Sequence, residues 1–157
     1  MEKIYETAYA KINLGLDVLG KRSDGYHEVR MVMQSVGLSD AVEIEEGEGL
    51  VVETDHSGLA GGPDNLAWKA AELLARCCGK IPNVHIRLNK KIFLAAGLAG
   101  GSSDAAAVMR GLSRLWQLDL TAPELEKLAA ELGSDIPFCI TGGTALAEGR
   151  GDILTEL

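Results

Sequence analysis

Between residues 8 and 18 apolar and polar positions alternate one for one. Ala8, Ala10, Ile12, Leu14, Leu16 and Val18 fall on one side, and Tyr9, Lys11, Asn13, Gly15 and Asp17 on the other. A period of two predicts a half-buried strand with Lys11 and Asn13 together on its exposed face. Residues 21–27 (KRSDGYH) hold a turn centred on Asp24-Gly25, and residues 29–38 (VRMVMQSVGL) predict the returning strand. VEIEE (42–46) and LVVET (50–54), either side of Gly47 and Gly49, read as a hairpin.

The period then changes to that of a helix. Asp64 is placed to cap a helix whose stripe is Leu66, Ala70, Leu73, Leu74 and Cys77. VHIRLNKK returns to alternation, with Val84, Ile86 and Leu88 inward. A second helix is expected from Ser102 or Ser103, its stripe made by Ala105, Val108, Met109, Leu112, Leu115 and Trp116. TAPE (121–124) is a capping box with proline in the first turn, opening a third helix that stops at Gly133. GGTALAEG is a last strand. Strands come mostly before helices, so the expected fold is α+β: a two-layer domain over residues 1–157, with a mixed or mostly antiparallel sheet and packed helices.

Charge narrows the partners. Fifteen Lys and Arg against 23 Asp and Glu leave −8, which argues against nucleic acid and anionic membrane surfaces. No apolar run is long enough to span a bilayer, and MEKIYETAYAK resembles no export or import leader. Three cysteines outside any C-x-x-C spacing read as reduced thiols. The expectation is a cytoplasmic protein.

The segment AAGLAGGSSDAAA (95–107) is almost free of side chains and lies between a strand and a helix. Unpaired N–H groups and the dipole make a helix start an anion site, and glycines ahead of it let backbone wrap a phosphate. A nucleotide phosphate chain is the expected guest; a glycine loop with an ordinary serine cap is the alternative. No lysine follows the glycines as in a Walker loop, and G-x-G-x-x-G is not matched. A β-branched side chain at Gly100 is expected to intrude on the phosphate path and leave the fold intact. Ala99 is expected at negative φ.

GLAGGSSDAAA resembles the phosphate-binding motif of the GHMP kinases. AKINLGLDVLGKRSDGYHEV and LGSDIPFCITGGTALAEGRG resemble the branch that acts on a cytidine-diphosphate sugar alcohol in non-mevalonate isoprenoid synthesis. The resemblance implies ATP with Mg²⁺ as donor and a fold similar to a ribosomal-protein domain. It places the catalytic groups on Lys11 and Asp135 and the substrate contacts on Asn13, Tyr26 and His27. It puts an adenine-side contact on Asn65 and the phosphate loop on Phe93, Leu94, Ala95, Ala96, Gly97, Leu98, Ala99, Gly100, Gly101, Ser102 and Ser103. The magnesium ligands are left open.

These kinases carry a second domain, to which nothing in this sequence corresponds. A truncated form of low activity is therefore expected, with an apolar face open to self-association. Nucleotide binding without turnover, or phosphorylation of another small alcohol, are the competing readings; DGYH speaks against the second, whose substrates carry no cytosine. Read without the resemblance, Asp135 is a helix cap and Lys11 a solvated strand lysine. Arg150 reads as part of a turn.

Overall fold

The computed structural model describes residues 2–56, 58–93 and 98–157. Its elements run β1 (Lys3–Lys21), β2 (His27–Glu46), β3 (Val51–Thr54), α1 (Leu66–Cys78), β4 (Val84–Asn89), α2 (Gly100–Leu115), α3 (Ala122–Ala129), α4 (Ile136–Thr141), β5 (Thr144–Glu148) and β6 (Ile153–Glu156). The fold is α+β with a mixed sheet, as the order of periodicities predicts.

The long strand β2 is the spine. Antiparallel β1 accompanies it from Lys3↔Glu45 to Lys21↔His27. Along its other edge, residues 41–46 pair with β4 and residues 31–34 with β5. The parallel strand β3 lies outside β4, and β6 outside β5. The expected hairpin of residues 42–46 with 50–54 does not form. β4 inserts between them, so β3, α1 and β4 make a parallel crossover; a turn signal alone does not choose a strand's partner.

Sheet residues Met33, Val42, Ile44 and Ile86 meet Leu74, Val108, Met109, Leu112, Ile136 and Phe138 from the helices in one core. The alanine run has its explanation here. Ala105, Ala106 and Ala107 are fully buried, and a Cβ at Gly111 would meet Ile44 Cδ1 at 2.6 Å, so α2 lies close on the sheet.

The helix boundaries differ in detail from the expected ones. Asn65, not Asp64, caps α1 by accepting from the Ala67 N–H. Cys77 is exposed, and Ala67 and Ala71 fill the buried face instead. The second helix begins at Gly100, earlier than the serines suggest, whereas the capping box at Thr121 and Glu124 forms in full. In β1 the inward face ends early: Leu14, Leu16 and Val18 are exposed, and among the described residues no helix covers the far end of the β1–β2 ribbon.

Candidate functional site

The site is built on a break in the β1–β2 register. Tyr9 pairs with Ser39, but Lys11 pairs with Ser35, so β2 carries two extra residues at this point. The strict alternation of β1 breaks at such a bulge. Ala8, opposite Asp40, and then both Ala10 and Lys11, the latter opposite Ser35, are buried across the break, whereas Asn13 is exposed. Lys11 thus has only 5% of its side chain exposed and is not on the solvated face that strict alternation predicts. Its Nζ donates to Asn13 Oδ1 at 3.3 Å and lies 3.8 Å from Asp135 Oδ2.

Asp135 occupies the N-cap position of α4, with Pro137 in the first turn. Its carboxylate makes no capping hydrogen bond and is 36% exposed. The side chain is turned to Lys11 and open to a second partner, which an ordinary cap is not. Beside it, burial pushes the Cys139 thiol up to about 12, so this cysteine is a neutral packing group.

The bulge also fastens the glycine segment. Lys11 N–H donates to Leu98 O at 3.1 Å, and Ser103 Oγ donates to Tyr9 O at 2.6 Å. The segment is thus tied to the strand that presents Lys11. Ser103 is buried by this bond, while Ser102 stays partly exposed at the helix start. Leu94, Ala95, Ala96 and Gly97, assigned to the same loop, lie outside the described residues; Phe93 at its near edge is 70% exposed.

Two loop residues behave differently from expectation. Ala99 adopts φ 58°, ψ 37°, the left-handed region, where the sequence reading expects negative φ. A Cβ at Gly100 would point into the protein, 3.0 Å from Ile92 Cγ2 and 3.3 Å from Lys90 Nζ. A side chain there would press on Ile92 and Lys90 beneath the helix start, so this glycine has a packing reason of its own.

Asn65 is buried, its Oδ1 accepting from Ala67 N at 2.9 Å and its Nδ2 donating to Ala60 O at 2.8 Å. It adjoins the loop, since a Cβ on Gly101 would touch Leu66 Cδ1 at 3.5 Å. Tyr26 and His27 are exposed at the end of the β1–β2 ribbon. The Tyr26 N–H donates to Asp24 Oδ1 at 3.0 Å, and this bond is the main cause that lowers the Asp24 carboxyl.

Arg150 lies over the Tyr26 ring, 4.7 Å from its centroid. Neighbouring Gly151 packs towards Ser134, next to Asp135. The C-terminal turn thereby joins the Tyr26 end to the Asp135 end. The sequence reading missed this role because nothing local pairs Arg150 with a tyrosine so far away in the chain.

The N-terminal domain model of the GHMP kinases matches residues 65–143, and the chain belongs to that family. It is 54% identical, over 96% of its length and 49% of the relative's, to 4-diphosphocytidyl-2-C-methyl-D-erythritol kinase of Synechococcus sp.. It is 50% identical to the protein of that name from Caldanaerobacter subterraneus, covering 99% of this chain and 54% of that one.

Among solved structures it resembles a 4-(cytidine 5'-diphospho)-2C-methyl-D-erythritol kinase at TM-score 0.82 and 39% identity, over 98% of this chain and 55% of that one. Methanococcus jannaschii mevalonate kinase shares the fold at TM-score 0.73 and 14% identity, over 99% and 56%. The chain spans about half the length of the relatives it matches. Among the described residues no helix is long and apolar enough to cross a membrane.

Proposed function

We propose that this chain carries the nucleotide-binding and catalytic groups for ATP-dependent phosphorylation of the 2-hydroxyl of 4-diphosphocytidyl-2-C-methyl-D-erythritol, in the cytoplasm. The observation that supports it best is the buried Lys11 set against a half-open Asp135, on the strand to which the glycine segment is tied. The names of the relatives supply the substrate.

Phosphoryl transfer is mostly positioning and charge stabilisation. In this reading the substrate hydroxyl lies against Asp135, whose carboxylate takes the proton as the oxygen forms its bond to the γ-phosphorus. The bond from γ-phosphorus to the β–γ bridging oxygen breaks, and ADP leaves with that electron pair. Lys11 offsets charge on the transferring group, and Asn13 holds the lysine in place by accepting from its Nζ. The N–H groups of Gly100, Gly101 and Ser102, which lack carbonyl partners within the helix, face the phosphates.

Tyr26 and His27 take the cytosine, the first by stacking on its ring and the second by hydrogen bonding. Asn65 keeps one amide hydrogen for an adenine-side contact. Magnesium supplies charge neutralisation and orientation of the phosphates. The donor set suits a metal that arrives with the nucleotide: among the described residues no three His, Cys, Asp or Glu side chains are grouped to cage one.

Incubating the protein with Mg-ATP and, separately, the cytidine compound, homoserine or mevalonate tests the reading. Phosphorus NMR is expected to show a phosphomonoester with the cytidine compound alone. A product from either of the other alcohols and none from the cytidine compound would overturn it.

A further inference from the structure

Beneath the start of α2 lies a charged cluster that the chemistry above leaves unused. Lys90 Nζ stands 2.5 Å from Asp40 Oδ2 and 2.6 Å from Asp104 Oδ2, and none of the three side chains is more than 2% exposed. The other oxygen of Asp40 accepts from the N–H groups of Lys91 and Ile92 at 2.6 and 2.8 Å. The other oxygen of Asp104 is buried with no partner among the described residues.

Stability alone is a poor reason for this cluster. A buried ion group roughly breaks even against apolar residues of the same size, and an orphaned acceptor costs free energy outright. Its position supplies a better one. Lys90–Ile92 lead into the glycine segment, and Gly100–Asp104 lead out of it. Asp104 lies one helical turn beyond Gly100, and Lys90 Nζ sits directly under that glycine. The lysine therefore clamps both ends of the segment to β2 and fixes how the helix start is rotated.

We propose that Lys90 is a positioning residue for nucleotide binding: by bridging Asp40 and Asp104 it aims the N–H groups of Gly100–Ser102 at the phosphate chain of a nucleoside triphosphate. The inference rests on the reading of this segment as the phosphate site. The clamp acts on the phosphates and not on the base, because it touches neither Asn65 nor the Tyr26 end. Small errors in aim are costly at a site that works by fixed geometry.

The test measures Mg-ATP and adenosine affinity calorimetrically in the wild-type chain and two variants, with melting and circular dichroism as fold controls. Lys90→Met is the direct variant. Because it leaves two buried carboxyl groups without their lysine, the triple variant Asp40→Asn, Lys90→Met, Asp104→Leu removes all three ionisable groups together and keeps the core filled. Each folded variant is expected to lose about 5- to 30-fold in ATP affinity with adenosine affinity within about twofold of wild type. Unchanged ATP affinity in a folded variant, or equal loss for ATP and adenosine, would overturn the clamp alone. Failure of the wild-type chain to bind ATP would overturn the phosphate-site reading and the clamp with it.

Discussion

Lys11 Nζ stands 3.8 Å from Asp135 Oδ2, and the two side chains differ sharply in exposure: 5% for the lysine and 36% for the aspartate. The buried partner supplies a fixed charge, and the open one can meet a substrate. Replacing Lys11 by Met keeps the length of the side chain and removes the charge. The expected result is a fall of about 10²- to 10³-fold in kcat, with KM for ATP within about threefold, the pattern for loss of a group that acts on transition-state charge. Steady-state kinetics over a range of ATP concentrations checks this; a change confined to KM would assign Lys11 to ground-state binding.

Ala99 holds left-handed backbone without being glycine. That conformation costs an L-residue about 1–2 kcal/mol, of which glycine's greater freedom when unfolded returns part. Ala99→Gly is expected to stabilise the protein by about 0.5–1 kcal/mol, or about 1–4 °C in Tm for a chain of this length. A calorimetric scan showing an equal or lower Tm would mean that the residue relaxes to negative φ in solution.

Gly100→Val is expected to lower stability, not merely nucleotide affinity, because its branched Cβ enters the space held by Ile92 and Lys90. Overpacking of this kind costs about 1–3 kcal/mol. Urea unfolding of the free protein reads it directly. An unchanged midpoint would show that the helix start shifts to accommodate the side chain.

Asp104 gives a pH signature. Burial first, and then hydrogen bonding to Asp40, raise its carboxyl from 3.8 to about 8 against the pull of Lys90. Burial alone would raise Asp40 too, but hydrogen bonds from Asp104, the Ile92 and Lys91 amides and Lys90 outweigh it and hold that carboxyl below 3.8. Between 3.8 and about 8 the native state keeps a proton on Asp104 that the unfolded chain has released. Its contribution to stability is therefore full below 3.8 and is lost as pH rises through about 8. Asp40 acts in a separate window, losing its contribution as pH falls below 3.8. Urea midpoints followed upward from about pH 5 should decline in wild type and decline less in Asp104→Asn. Parallel curves would show that Asp104 is ionised throughout.

Much of this was legible in the sequence, and the misses share one cause. Signals written in consecutive residues held: the capping box at Thr121 and Glu124, and the alternation of Val84, Ile86 and Leu88. Features set by a distant partner did not. The bulge that turns Lys11 inward exists only in the pairing of β1 with β2, and β3 chose β4 although a turn pointed it at β2. Lys90, Asp40 and Asp104 are separated in the chain, and no local signal joins them. Arg150 and Tyr26 meet for the same unlocal reason.

The claim that Asp135 takes the proton of the accepting hydroxyl is tested most directly by single-turnover transfer from ATP to the cytidine substrate in the Asp135→Asn protein. Asparagine keeps the shape and the approach to Lys11 but cannot accept a proton. The expected result is a transfer rate lower by about 10²- to 10⁴-fold, with ATP affinity unchanged. Transfer at the wild-type rate would contradict the assignment and leave Asp135 as no more than the residue at the N-cap of a helix.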